Sequence, residues 1–416
     1  MLRLHSKTDR PDFNYLNMTL QNSMNIGIRV NLSDEFNRDL KNELDSARIE
    51  LLDYGLDEPN KTQKVLDTLR TLAKNDPYIE ECCYVNDKWT SNKSALKKLV
   101  YHENEFASSL MWYRRLKKYI SSIESLQVLA DGNGFVHPTI CGSATNRVQY
   151  RDPGLLTIPK VLIWDVLLPR DDNWEIFSAD IKNQEPWILI NMLDIKELKD
   201  LLGISQYGSL YDMLFITFYK KVPTEIERKE FKQVWNALTY GASKQGISDL
   251  CHNIDSSIVY TYFNKLSGYK EYKKRMNAIG YSGGRVVETV FGTKLRVDGS
   301  TNSKAVRQLM NFGIQGTGAD ILAFLVKHFE EEVANRGLED KVRLYFTRHD
   351  ELVIEVHKDF IKELGGNEAV YALIFDMLEH RIDTWEPFKM TISKVEGSLG
   401  KLFETDTFLD DEDDTV

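Results

Sequence analysis

Arg343-Leu-Tyr-Phe-Thr-Arg-His-Asp-Glu-Leu-Val-Ile-Glu-Val356 reads as strand, turn, strand. Arg343–Thr347 and Leu352–Val356 are rich in β-branched and aromatic residues, and the polar stretch Arg348-His349-Asp350-Glu351 between them is short enough for a tight turn. Upstream, Val161–Leu168 and Trp174–Ala179 give further strand signals across the turn Pro169-Arg-Asp-Asp-Asn173. A hairpin is expected at Val286–Phe291 and Lys294–Val297 around Gly292. The rest is mainly helical. Ser33 to Leu129 carries apolar positions at Leu40, Leu44, Ile49 and Leu52, then at Leu96, Leu99, Leu110, Tyr113, Leu116, Ile120 and Leu126. Residues 131–159 read as loop. Helices resume from Pro186, which suits a first turn, to about Ile279, and one long helix is expected over Ser303–Arg336. Antiparallel strands interrupted by large helical blocks predict an α+β fold.

The chain has 416 residues, 42% hydrophobic and 28% charged, as in ordinary globular enzymes. No run approaches the roughly 18 apolar residues of a membrane span, and the start, MLRLHSKTDR, has no secretory core, so no membrane partner is expected. Cys82, Cys83, Cys141 and Cys251 fit neither a zinc spacing nor a disulfide framework, which points to reduced thiols and a cytoplasmic location (host cytoplasm for a viral chain). Net charge is −10, but Glu404–Val416 holds seven acids and no base; without them the body carries −3. A near-neutral body neither supports nor excludes a nucleic-acid partner, because binding follows local Lys and Arg placement.

Asp180 ends a predicted strand and Asp350 sits in a predicted turn. A sheet that brings them together would hold two Mg²⁺ ions about 3.5–4 Å apart, suited to an in-line displacement at phosphorus. Between them, Arg228, Lys232, Asn236 and Tyr240 recur every four residues and share one helical face. Cations for phosphates, followed by an amide and a phenol, suit a nucleoside triphosphate; a solvated face with a tyrosine anchor is the alternative. Arg307, Asn311 and Gln315 form a similar ladder of donors suited to minor-groove acceptors.

In order along the chain, these segments resemble the polymerase region of family A DNA polymerases, from about Asn25 to Phe403. Thr145-Asn-Arg147 with Asp152-Pro153 and Ile158-Pro159 is similar to the family's TGR…DPNLQNIP segment; Ser178-Ala-Asp180 with Glu185 resembles motif A; Arg228–Gly241 resembles motif B. Val287–Gly292 resembles the hairpin before the last palm helix, Gln315-Gly-Thr-Gly-Ala-Asp320 the QGTAAD segment, and His349-Asp350-Glu351 motif C.

The resemblance implies a right-hand polymerase. Its parts would be a leading palm segment (1–32), a helical thumb (33–130), palm with motif A (131–185), helical fingers (186–285), palm with motif C (286–403) and an acidic tail (404–416). It also implies primer extension with dNTPs on primer–template DNA, using two Mg²⁺ ions with Mn²⁺ able to substitute. Asp180, Asp350 and the backbone carbonyl of Ile181 would be metal ligands, Glu351 a supporting carboxylate, and Arg228 and Lys232 the triphosphate holders. Lys232 would protonate pyrophosphate, Asn236 and Tyr240 would line the nucleotide site, and Glu185 would exclude a ribose 2′-hydroxyl. Arg147, Arg307, Asn311, Gln315 and His349 would grip the primer–template.

The chain departs from the family at Asn236, where an aromatic is usual, at Ala237, at Ile181–Gln184 and at Trp187, as in a divergent, phage-type member. The segment before Arg147 leaves no room for a proofreading exonuclease, so none is expected. A single-subunit RNA polymerase and a non-catalytic replication accessory protein are the competing readings; Glu185 and the His-Asp-Glu triplet speak against the first, the intact aspartates against the second. The tail is expected to be a disordered solubilising end or a docking segment for replication proteins.

Overall fold

The computed structural model describes residues 2–396, apart from 159, 205–208, 249, 252, 298–300, 384 and 387. The acidic tail lies outside the described residues. The chain forms two compact units: Met1–Gly27, Pro138–Arg151 and Pro169–Val395 make the first, and Ile28–His137 with Asp152–Leu168 belong to the second. Residues 131–137 and 152–168, read with the palm from sequence, thus group with the helical second unit.

In the first unit, the strands used below are β1 (Thr139–Gly142), β2 (Val148–Arg151), β3 (Trp174–Ile181), β4 (Val286–Glu288), β5 (Lys294–Arg296), β6 (Val342–Arg348), β7 (Glu351–His357) and β8 (Met390–Lys394). The central sheet has the order β6-β7-β3-β8, every pair antiparallel. Six of the seven residues of β7 are buried, as are most of β3 and β6. A strand covered on both faces needs no polar alternation, which is why 343–356 reads as near-continuous apolar runs. Its one deep charge, Glu355, is fully buried and held by Arg170 (Nη1 to Oε2, 3.2 Å) and Arg343 (Nε to Oε2, 2.8 Å), while Arg343 stacks 3.8 Å from the Trp174 ring centroid.

The helices of this unit that bear on the site are α1 (Phe13–Ile26), α2 (Gln184–Met192), α3 (Leu210–Tyr219), α4 (Glu225–Thr239), α5 (Ser267–Tyr281) and α6 (Asn302–Asn335). Helix α6 is long and apolar enough to span a membrane by length and composition, but 83% of that window is buried inside the protein. It is a core helix. Its Gly316 and Gly318 are dictated by close approach: a Cβ there would sit 2.4 Å from Leu295 Cδ1 of β5 and 2.4 Å from Gln184 Oε1 of α2. Small residues therefore let α6 lie directly against the β4–β5 hairpin and the start of α2.

The second unit is mainly helical: Asp34–Asp53, Thr62–Leu72, Pro77–Cys83, Lys93–Tyr101, Glu105–Leu129 and Lys160–Val166, with a three-stranded sheet built on Ile28–Val30.

Three local expectations are corrected. Val161–Leu168 is not a strand: Lys160–Val166 is helical and only Leu167–Leu168 is extended. The buried positions Leu162, Ile163, Val166 and Leu167 have helical spacing, which outweighs the β-branched composition. Residues 131–159 contain the β1–β2 hairpin, where Val148 and Tyr150 point in and Gln149 and Arg151 out. In Asp34–Asp53 the core face is Leu40, Ala47 and Leu51, while Ile49 and Leu52 are exposed, because seven- and four-residue steps keep one stripe and theirs do not.

Candidate active site

The sheet register brings the two aspartates together. Asp180, next to last in β3, lies directly across from Glu351, the first residue of β7, and such cross-strand neighbours have Cβ atoms roughly 5 Å apart. Asp350 precedes Glu351 in the two-residue turn closed by the Arg348–Glu351 pair. His349, the other turn residue, has φ 55°, a left-handed conformation that turns tolerate at some cost outside glycine. Burial, and then the charge of Asp180, push the Asp350 carboxyl up to about 7, with Arg147 pulling the other way. Two close carboxylates with raised proton affinity are the electrostatic signature of a cation site. Among the described residues no cluster of three or more His, Cys, Asp or Glu surrounds them. That fits Mg²⁺, which binds through one or two carboxylates and takes its remaining oxygens from water and phosphate. Glu351 is buried and accepts the Ser178 hydroxyl, so it braces the strand ends beneath the pair.

Glu185, in the first turn of α2, joins three segments distant in sequence. Its Oε1 accepts from Arg147 Nη2 at 2.6 Å, and its Oε2 accepts from the Tyr240 hydroxyl. Burial opposes the Arg147 charge, but Glu185, Tyr240 and Asp350 outweigh it and raise its pKa. Burial and then Glu185 hold the Tyr240 phenol well above its ordinary value, with a Gln315 hydrogen bond acting oppositely. Arg147, Glu185, Tyr240 and Gln315 thus form one connected group beside Asp350.

Helix α4 begins with a capping box between Thr224 and Glu227. Phe231, Val234, Trp235 and Leu238 face the core, while Arg228, Lys232, Asn236 and Tyr240 occupy the partly accessible face. The stripe is real, but its partners were not legible from sequence. Arg228 is held by α3: its Nε lies 2.8 Å from Asp212 Oδ1, and its Nη2 donates to Ser209 Oγ at 3.0 Å. The Lys232 ammonium lies 5.9 Å from the Tyr211 ring centroid, and the Tyr211 hydroxyl donates to Asn236 Oδ1 at 3.1 Å. Ser209, Tyr211 and Asp212 are residues that sequence reasoning missed. Nothing in the apolar run from Leu210 distinguishes its opening residues from other helix surface.

On α6, nearly every position from Ala305 to Val326 is buried, whereas Arg307 is exposed and Asn311 and Gln315 are half-buried. The ladder is the accessible stripe of a core helix. Asp320, the last residue of the Gln315–Asp320 segment, points elsewhere: its Oδ1 accepts from Thr293 Oγ1 at 2.8 Å in the β4–β5 hairpin. The side chain of Ile181 is buried, and its peptide ends β3 opposite Met390.

The family model for DNA polymerase family A matches residues 31–383. DNA polymerase I of Rhizobium leguminosarum is 23% identical over 304 residues, covering 66% of this chain and 29% of that protein. DNA polymerase I of Geobacillus stearothermophilus is 25% identical over 322 residues, 73% of this chain and 36% of that protein. DNA polymerase theta of Drosophila melanogaster is 25% identical over 306 residues, covering 66% and 15%. The chain therefore spans little more than a third, at most, of the length of these relatives. Among solved structures, the POL domain of Pol1 from M. smegmatis, in complex with DNA primer-template and dNTP, matches with a TM-score of 0.72 at 19% identity. The match covers 91% of this chain and 69% of that one, and shows the fold.

Proposed function

The chain belongs to DNA polymerase family A, and from that premise we propose that it is a template-directed DNA polymerase extending a primer with dNTPs. The observation that carries the reading is the meeting of Asp180 and Asp350 at one end of the β3–β7 pair, beside the Arg147–Glu185–Tyr240 group. In this reading Asp180, Asp350 and the Ile181 carbonyl hold two Mg²⁺ ions, with Mn²⁺ able to substitute. When bound, such ions make the attacking hydroxyl easier to ionise and steady charge on the leaving group.

The primer 3′-oxygen bonds to the α-phosphorus as the bond from that phosphorus to the bridging oxygen of the β-phosphate breaks. The hydroxyl proton passes to solvent, and Lys232 donates a proton to the departing pyrophosphate. Arg228 exchanges Asp212 and Ser209 for phosphate oxygens. That exchange is inexpensive, because the Arg228–Asp212 pair is well over a third exposed and such pairs contribute little, whereas arginine–phosphate contacts are charge-assisted and often bidentate. Glu185, fixed between Arg147 and Tyr240, puts a carboxylate where a ribose 2′-hydroxyl would intrude. Arg307, Asn311, Gln315 and His349 contact primer–template. Helices α2 to α5 act as fingers and the helices of 33–130 as thumb.

The test is primer extension with Mg²⁺. The wild-type chain extends with dNTPs in strong preference to rNTPs. Asp350→Ala lowers the rate by about 10³-fold or more while duplex affinity stays within about threefold. A wild-type chain that extends nothing, or that prefers rNTPs, would sink the reading.

A further inference from the structure

The inference here rests on the nucleotide-site reading above and carries it to one side-chain pair. With phosphates at Arg228 and Lys232, a triphosphate lying along α4 places its sugar one four-residue step on, about 6 Å along the axis, at Asn236, before the base reaches Tyr240. Asn236 is half-buried, and its Oδ1 is taken by the Tyr211 hydroxyl at 3.1 Å. Tyr211 is 4% exposed and fixed in the first turn of α3, with the Lys232 ammonium 5.9 Å from its ring centroid. Burial, and then the Glu185 charge, hold its phenol far above the ordinary value, so it remains protonated and remains a donor.

A primary amide has an acceptor end and a donor end. With Oδ1 occupied by an O–H donor, the end left for a ligand is the NH2 group, which can only donate. Glu185, an acceptor already held by Arg147 and Tyr240, cannot supply that donor. The sugar offers a matching acceptor in its 3′-oxygen, carried on the carbon next to the one bearing the 5′-phosphate arm; the 2′-carbon is one bond further away.

We propose that Asn236, its amide oriented by Tyr211, donates a hydrogen bond to the 3′-oxygen of the incoming nucleotide and makes the chain select nucleotides that carry a 3′-hydroxyl. A nucleotide without that oxygen leaves the amide N–H unpaired in a desolvated site, and sites built to hydrogen-bond a substrate hydroxyl reject the analogue lacking it far better than apolar sites do. Asn236 touches the sugar; Tyr211 is a positioning residue that acts through it.

The experiment is single-nucleotide primer extension with dTTP and ddTTP opposite the same template base, for wild type, Tyr211→Phe and Asn236→Leu. Wild type favours dTTP in kcat/KM. Each variant loses about tenfold of that preference, the loss expected when one hydrogen bond disappears, and it falls on dTTP, chiefly in KM. Tyr211→Phe keeps the buried ring, so its loss of preference reads the hydroxyl rather than packing. If both variants keep the wild-type ratio, with dTTP and ddTTP falling together, the pair is structural and the proposal is overturned. A wild-type chain that does not extend with dTTP removes the polymerase reading itself; one that extends with unchanged variant ratios removes only this inference.

Discussion

Asp350 and Asp320 are both carboxyls pushed up to about 7, and the causes separate their roles. For Asp350, burial is followed by the charge of Asp180, so a divalent cation relieves the cost. Adding Mg²⁺ should raise the melting temperature at pH 8 by mass action, and the rise should shrink as pH falls below about 7, where protons compete for the carboxylate. Asp350→Asn should abolish most of the shift; an equal shift in that variant would place the cation elsewhere. For Asp320, burial is offset only by hydroxyls of Thr289 and Thr293 and by Arg10. Its folded pKa lies above the unfolded value near 4, so the folded state binds the extra proton between about pH 4 and 7. Its contribution is therefore fully present below pH 4 and is lost as pH rises through 7. Asp320→Asn should leave stability at pH 5 nearly unchanged and raise it at pH 8, by up to a few kcal/mol, read by denaturant unfolding at both pH values. A variant less stable at pH 8 would contradict this.

At the scale of elements, spacing made two helical faces visible. The four-residue steps from Arg228 to Tyr240 and from Arg307 to Gln315 are helix geometry, and the structure keeps both stripes on accessible faces. Which neighbour each stripe meets depends on packing, as Arg228 on Asp212 and Gln315 on Tyr240 illustrate. The close contact of α6 with α2 gives a direct test. Gly318→Ala puts a Cβ 2.4 Å from Gln184 Oε1, and the buried Gln184 has no solvent to move into. The variant should lose about 1–3 kcal/mol of stability. Because Glu185 is the next residue, discrimination between dNTP and rNTP should also fall, as measured by steady-state extension. In the sheet, Glu355→Ala leaves Arg170 and Arg343 without their buried carboxylate and should cost about 3–5 kcal/mol. Thermal melting checks the size.

At the scale of the whole chain, a net charge of −10 coexists with the proposed DNA grip because the cations that matter are local. Primer–template affinity should fall steeply between 50 and 200 mM salt, and Arg307→Ala should reduce the log–log salt slope by about one, the mark of a single lost phosphate contact. An unchanged slope would remove Arg307 from the DNA interface.

The sequence by itself determined the α+β class, the hairpin that carries Asp350, the stripe on α4, the ladder on α6 and the order of motifs that resemble family A. Those features are local: they depend on period-two and period-3.6 patterns, on turn residues and on linear spacing, all written along the chain. Only the tertiary structure decided the pairing of Asp180 with Glu351, the junction of Arg147, Glu185 and Tyr240, and the seating of Tyr211 on Asn236. It also turned Lys160–Val166 into a helix that composition alone reads as a strand. The reason is physical: strand register and helix packing are set by which buried surfaces fit together, and a side chain's partner across such a contact has no fixed separation in sequence.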